Sequence, residues 1–272
     1  MHKRVNPNYL RQEQYVDAQN LNARVALHRR FSTNPVNWFH WVFDHINIPG
    51  DANILEVGCG PGLLWKHNLD RIPLRWRFGL TDFSPGMLLE AQDNLGSSHA
   101  HFHYTAADAQ NIPFPDATFD LVVANHMLYH VPDRPKAITE LHRVLKSGGW
   151  LLAATNGLHH MAEIHELLMK LDPAMAKETD HAFGVSEFTI ENGAEQLSAV
   201  FTEVHLIPFI DSLEVTEAEP LLDYILSMTS SDNLPLGDHK LRAFQQLFSD
   251  EIRHRGSFHI SKYTSLIMAH KL

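Results

Sequence analysis

Apolar runs alternate with segments of helical period through the middle of the chain. Ile54-Leu55-Glu56-Val57, Arg77–Thr81, His101–Thr105, Phe119–Ala124 and Trp150–Thr155 read as five strands. Between them, Ser84 is placed to cap a helix that Pro85 opens and that runs through Ala91. A second helix over Pro135–Leu145 is closed by Ser147-Gly148-Gly149. Strands that are apolar throughout, rather than alternating, belong in a mostly parallel sheet covered by helices on both faces. After Thr155 the pattern predicts helices over Met161–Leu171, Glu187–Val200 and Glu217–Met228, and strands over Val204–Ile210 and Thr264–Ala269. No helix follows the last of these strands, which predicts its antiparallel insertion as a hairpin with its predecessor.

The first 46 or so residues are polar with spaced apolar positions, Tyr9, Tyr15, Leu21, Val25 and Leu27, able to line one side of helical segments. A dense aromatic helix follows at Asn37–Phe43, and Pro49-Gly50-Asp51 ends the region as a turn. The expected organisation is an N-terminal helical cap over residues 1–50 and, within the same domain, a seven-stranded α/β unit over 51–272 with helical insertions around 157–200 and 216–255.

Composition narrows the partners. The 272 residues, 44% of them hydrophobic, suffice for one large domain with a sizeable core. The formal charge of −10 is relieved by no basic block, so nucleic acid is not expected as a partner. The nearest candidate, Arg71–Arg77, reads as a loop leading into a strand. The single cysteine, Cys59, forbids an internal disulfide and suits a reducing compartment. The start lacks a signal peptide's apolar stretch, and no run approaches the roughly 18 apolar residues of a membrane span. These features predict a soluble, cytoplasmic protein without a membrane partner; a homodimer stays open.

The segment Ile54–Gly62 sets a glycine-rich turn, Gly58-Cys59-Gly60-Pro61-Gly62, between a strand and a helix. Glycine permits the tight turn and the close approach of a ligand to the backbone, and the helix behind it presents free N–H groups. The dinucleotide fingerprint G-x-G-x-x-G would need its third glycine where Leu63 stands. Asp82, 20 residues past Gly62, is an acid suited to two ribose hydroxyls, which supports a nucleoside without choosing between NAD and S-adenosyl-L-methionine (SAM).

From about Asn53 to Thr155 the chain resembles the class I SAM-dependent methyltransferases, in the type 11 branch that includes the ubiquinone and menaquinone biosynthesis enzymes. The likeness rests on ILEVGCGPG, LTDFSPGML, AADAQNIPF, FDLVVANHMLYHV and LHRVLKSGG in that order, with Ser147 standing where the family usually has proline. It implies a Rossmann-like seven-stranded, mostly parallel sheet with the last strand antiparallel, and SAM as cofactor. It further implies that Glu56 and the backbone of Gly58, Cys59 and Gly60 face the methionine part, that Asp82 holds the ribose and that Phe83 and Met87 pack near the adenine. By the same resemblance Asp108 accepts from the adenine amino group, the Ala109 N–H donates to a ring nitrogen, and Asn125 and His126 border the reactive methyl.

Methyl transfer from a sulfonium needs alignment rather than an acid, because the leaving group is neutral. Where the nucleophile carries a proton, a base helps, and His126 and His130 are the candidates, with Tyr129 orienting the acceptor. A metal is not expected. His99, His101 and His103 alternate along one strand, and His126 and His130 are four apart, but neither set comes with a motif acid or cysteines. The expected acceptor is a small apolar or aromatic molecule beneath a cap lined by Tyr9, Tyr15, Phe31, Trp38 and Trp41, with later helices near Phe183 and Tyr224. Two other readings stay open: a SAM-binding protein running another reaction such as a cyclisation, and a nicotinamide-dependent oxidoreductase.

Overall fold

A computed structural model describes residues 6–96, 101–171, 187–228 and 238–272. In chain order the first elements are α1 (Pro7–Tyr9), α2 (Gln19–Phe31), α3 (Trp38–Asp44), β1 (Asn53–Val57), α4 (Leu63–Lys66), β2 (Arg77–Asp82) and α5 (Pro85–Leu95). They continue with β3 (His101–Ala106), β4 (Phe119–Asn125), α6 (Arg134–Val144), β5 (Leu145–Asn156) and α7 (Ala162–Leu171). The last are α8 (Gly193–Ser198), β6 (Thr202–Val215), α9 (Ala218–Met228), α10 (Asp238–Arg255) and β7 (Phe258–His270).

The seven strands form one sheet in the order β3-β2-β1-β4-β5-β7-β6. Strands β1 to β5 pair in parallel, and β7 inserts antiparallel between β5 and β6. This is the expected Rossmann-like sheet with its last strand reversed. The strand order turns outward at β1 and β4, so a crevice opens at their carboxyl ends, where open α/β sheets place ligands.

The local signals for α5 act as expected. Ser84 Oγ accepts from the Met87 N–H at 3.4 Å, Pro85 takes the first helical position, and the helix runs on to Leu95. The residues Ser147-Gly148-Gly149, expected to close a helix, instead lie within β5. The helix stops at Val144 because Leu145 already pairs with Phe119, and backbone bonds join Gly148 and Gly149 to Lys271. The helix expected over Glu187–Val200 shrinks to α8. Asn192 Oδ1 accepts from the Thr189 N–H at 2.9 Å and Thr189 Oγ1 accepts from the Glu191 N–H at 3.2 Å, so short polar side chains offer the backbone a competing turn. The partner strands β6 and β7 do pair antiparallel, but α9 and α10 separate them, so they are not a tight hairpin.

Three apolar clusters hold the layers together. One lies between the sheet and α6, around Leu55, Val122 and Leu141. A second lies on the opposite face, where Trp65, Trp76 and Phe78 pack with Val42 of the aromatic helix α3. The third joins the cap to the C-terminal elements: Leu27 and Phe31 of α2 pack with Ile164, Leu213 and Phe248. A bridge from Ser32 to Leu213 ties the end of α2 to the edge strand β6. Phe183 lies outside the described residues. Among the described residues no helix is long and apolar enough to cross a membrane.

Candidate functional site

The glycine turn follows β1 directly. Gly58, Gly60 and Gly62 have φ of 68°, 52° and 71°, the left-handed region that disfavours a side chain. At Gly58 space matters as well, because a Cβ there would sit 2.8 Å from the Met127 Cβ. Asp82, at the end of β2, clamps the turn: its carboxylate accepts from the Gly60 N–H and the Ser84 N–H, each at 2.8 Å. Burial raises the Asp82 pKa, and these backbone hydrogen bonds act against the rise. Each carboxylate oxygen keeps a further lone pair for a ligand hydroxyl.

Glu56 is 2% exposed, and its carboxylate accepts from Trp65 Nε1 at 2.7 Å. Burial pushes this carboxyl up to about 8, opposed by the hydrogen bonds from Trp65 and Asn125 and reinforced by the charge of Asp82. Asn125, which ends β4, has its Oδ1 closed off from solvent with no hydrogen-bond partner. Cys59 is buried and burial raises its pKa well above the usual thiol value, so it offers no thiolate.

Phe83 is partly exposed and Met87 fully buried on α5. The carboxylate of Asp108 accepts from the backbone N–H of Gln110 at 2.8 Å and from its side-chain amide at 2.9 Å. Ala109 is buried in the cluster beneath α6. The structure therefore brings Glu56, Gly58, Cys59, Gly60, Asp82 and Asn125 to one crevice, whereas Asp108 is engaged by its own turn.

His126 follows β4 with φ +51°, an uncommon conformation for a residue with a side chain, held by its N–H donating to the Ala154 carbonyl at 3.0 Å. Its ring lies 5.3 Å from Trp38. Burial and then Lys262 pull its pKa down to about 4, far from the neutral-range base that its ordinary value suggests. Tyr129 and His130 occupy the single helical turn Leu128–His130, with ring centroids 4.6 Å apart. His130 Nε2 is 3.0 Å from the Tyr15 hydroxyl. Trp38 and Trp41 stack at 5.3 Å, and both meet Phe209 of β6.

The sequence reading missed several polar groups on this side. Asp211, fully closed off from solvent, pairs with Lys262 and accepts from Ser32 Oγ at 2.8 Å. His160 accepts the Tyr263 N–H at Nδ1, 3.1 Å away, and its pKa falls to about 3 through burial and the nearby Lys262. No local spacing joins positions 160, 211 and 262. Trp65 had a local signal, an aromatic residue in the first turn behind the glycine loop. Among the described residues no three His, Cys, Asp or Glu side chains are placed to hold a metal ion. His101 and His103 are exposed on β3, and His99 lies outside the described residues.

A family model described as a methyltransferase domain matches residues 55–153. Those residues match the methyltransferase-domain family. The observed crevice suits SAM: backbone turned outward at the glycines, an acid at the end of β2 and an orphaned acceptor at Asn125. The domain is 32% identical over 123 residues to malonyl-[acyl-carrier protein] O-methyltransferase 1 of Ilyobacter polytropus, covering 45% of each chain. It is also 32% identical over 118 residues to the ubiquinone/menaquinone biosynthesis C-methyltransferase UbiE of Laribacter hongkongensis, covering 42% of this chain and 47% of that one. The chain thus spans about half the length of the curated relatives it matches. In fold it is similar to the [4+2]-cyclase SpnF, with a TM-score of 0.60, 18% identity and coverage of 98% of this chain and 97% of that one.

Proposed function

We propose that the protein is an enzyme that moves a methyl group from SAM to a small apolar or aromatic acceptor by in-line displacement. The observation that carries the acceptor class is the aromatic wall of Trp38, Trp41 and Phe209 beside His126, at the carboxyl end of β4. Bound SAM supplies an electrophilic methyl group whose departing thioether is neutral, so no side chain need protonate it. The chain's task is then to bind, to exclude water and to hold the acceptor atom in line. Glu56, the glycine-loop backbone and Asn125 would face the methionine end, and Asp82 the ribose. Asp108, Ala109, Phe83 and Met87 would border the adenine, Asp108 only if it shares its carboxylate with Gln110.

A base is needed only for a protonated acceptor. His130, joined to the Tyr15 hydroxyl, takes that role in preference to His126, whose depressed pKa makes it a weak proton acceptor. Tyr129, beside His130, would orient the acceptor. The described parts of the cap (6–50) and of the insertions (157–171, 187–200, 216–228 and 238–255) would close the acceptor side, in a protein working in the cytoplasm without nucleic acid.

The test is incubation of the purified protein with SAM and a panel of phenols, thiols and aromatic amines. S-adenosylhomocysteine should form together with a product one methyl group heavier. A product without S-adenosylhomocysteine would replace methyl transfer with a rearrangement such as a cyclisation. Thermal stabilisation by NAD alone would move the site to the nicotinamide class.

A further inference from the structure

Arg24 and His28 lie four residues apart on α2 and so share one helix face. Nη2 of Arg24 and Nδ1 of His28 are both closed off from solvent and both lack a hydrogen-bond partner. Arg24 Nε donates to the Asn20 carbonyl at 3.1 Å, and the central carbon of the guanidinium stands 5.5 Å from the Tyr15 ring centroid. The groups that act on it are the phenols of Tyr15, Tyr224 and Tyr129, and the Tyr15 side chain also takes a hydrogen bond from it. Phenols at neutral pH offer oxygen atoms and no countercharge. Among the described residues no carboxylate pairs with Arg24.

The neighbouring charges do not supply one. Lys262 is neutralised by Asp211. His28, His126 and His160 are held neutral by burial, with Lys262 acting in the same direction. Among the described residues around it, Arg24 is therefore a buried cation with no carboxylate beside it. A buried cation without a partner is costly, and a planar guanidinium with a free edge is the natural complement of a carboxylate. The same helix face looks onto the cofactor loop: Leu21, one turn before Arg24, lies 3.6 Å from the place a Cβ would take on Gly60.

We propose that Arg24 is a carboxylate-binding residue of this site, held in place by the Tyr15 phenol. The assignment rests on the SAM-dependent reading above. The carboxylate has two sources, the methionine end of the cofactor or an acid group on the acceptor, and Arg24 serves either by the same chemistry.

Titration calorimetry on the full chain separates them. S-adenosylhomocysteine carries the methionine carboxylate; 5′-methylthioadenosine has the same nucleoside and lacks it. If the cofactor supplies the anion, Arg24→Gln weakens S-adenosylhomocysteine at least tenfold and leaves methylthioadenosine unchanged. If the acceptor supplies it, both nucleosides bind Arg24→Gln normally. Protein loaded with S-adenosylhomocysteine then binds benzoate, salicylate or phenylacetate but not their methyl esters, and Arg24→Gln abolishes that binding. Arg24→Lys keeps the charge without the fork and should recover part of the loss, with a melting profile confirming that it folds. Equal loss for both nucleosides would reduce Arg24 to a structural role and overturn the proposal. So would unchanged nucleoside binding with no carboxylate binding that depends on Arg24. If wild-type protein binds neither nucleoside, the cofactor assignment itself fails; if it binds both and Arg24→Gln changes nothing, only the carboxylate proposal does.

Discussion

Replacing Glu56 by glutamine should flatten the pH dependence of stability. In the folded protein burial carries this carboxyl from 4.5 to about 8, so between those values the folded state holds a proton that the unfolded chain has released. Stability then falls as pH rises through that window, because the unfolded state binds fewer protons than the native one. One pKa unit corresponds to about 1.4 kcal/mol, so relative to Glu56→Gln the wild type should lose roughly 3 kcal/mol between pH 5.5 and pH 8. Glutamine keeps the shape and can still accept from Trp65 Nε1, so the difference between the two proteins should be smallest at the acid end of the range and grow as the pH rises. Urea unfolding followed by tryptophan fluorescence at half-unit pH intervals measures this directly. Other titrating groups are common to both proteins and cancel in the difference. A stability difference that stays constant from pH 5.5 to pH 8 would refute the reasoning. Saturating S-adenosylhomocysteine should also shrink the slope, since a cationic amino group beside Glu56 favours its ionised form.

Gly86→Ala tests the docking of the N-terminal segment, since the new Cβ would lie 2.0 Å from the Val16 carbonyl oxygen. Helix propensity favours alanine by roughly 1 kcal/mol, but the backbone clash must displace the segment whose Tyr15 carbonyl accepts from Ser84 Oγ, so a lower melting temperature and weaker S-adenosylhomocysteine binding are expected. Gly50→Ala, with nothing within 4 Å of its Cβ, is the control and should melt as the wild type does. Asp211→Ala should cost about 3–5 kcal/mol in urea unfolding by leaving Lys262 buried without its partner, and adding Lys262→Met should restore part of that. With an acceptor in hand, His130→Ala should lower turnover more than it lowers SAM affinity; near-normal turnover would remove His130 as the base.

The glycine turn and the elements around it were legible because their signals are local. Ile54–Gly62 encodes strand, turn and helix start in nine successive residues, and Ser84-Pro85 announces the helix that follows Asp82. The buried polar groups beside the aromatic wall were not legible. His28, His160, Asp211 and Lys262 sit on four separate segments, and only the pairing of β6 with β7 and the packing of α2 against them bring these groups together. The same cause explains Ser147-Gly148-Gly149, whose glycines mimic a helix stop until the distant Lys271 backbone claims them. His126 reads as a neutral-range base from its residue type alone, whereas its lowered pKa comes from burial and Lys262, not from its neighbours in sequence.

The position of β7 means that the sheet can be completed only in two stages along the chain. Strands β1 to β5 are contiguous in the sheet and complete in sequence by Asn156, so the cofactor crevice can assemble as soon as that part of the chain exists. Strand β6 touches none of them. Beyond its bridge to Ser32 it has no strand partner until β7 inserts between it and β5, and only then does Asp211 meet Lys262. Until then the exposed edge is open to wrong partners. A chain halted before Phe258 would therefore keep strands β1 to β5 and leave β6, with Phe209, unjoined to their sheet.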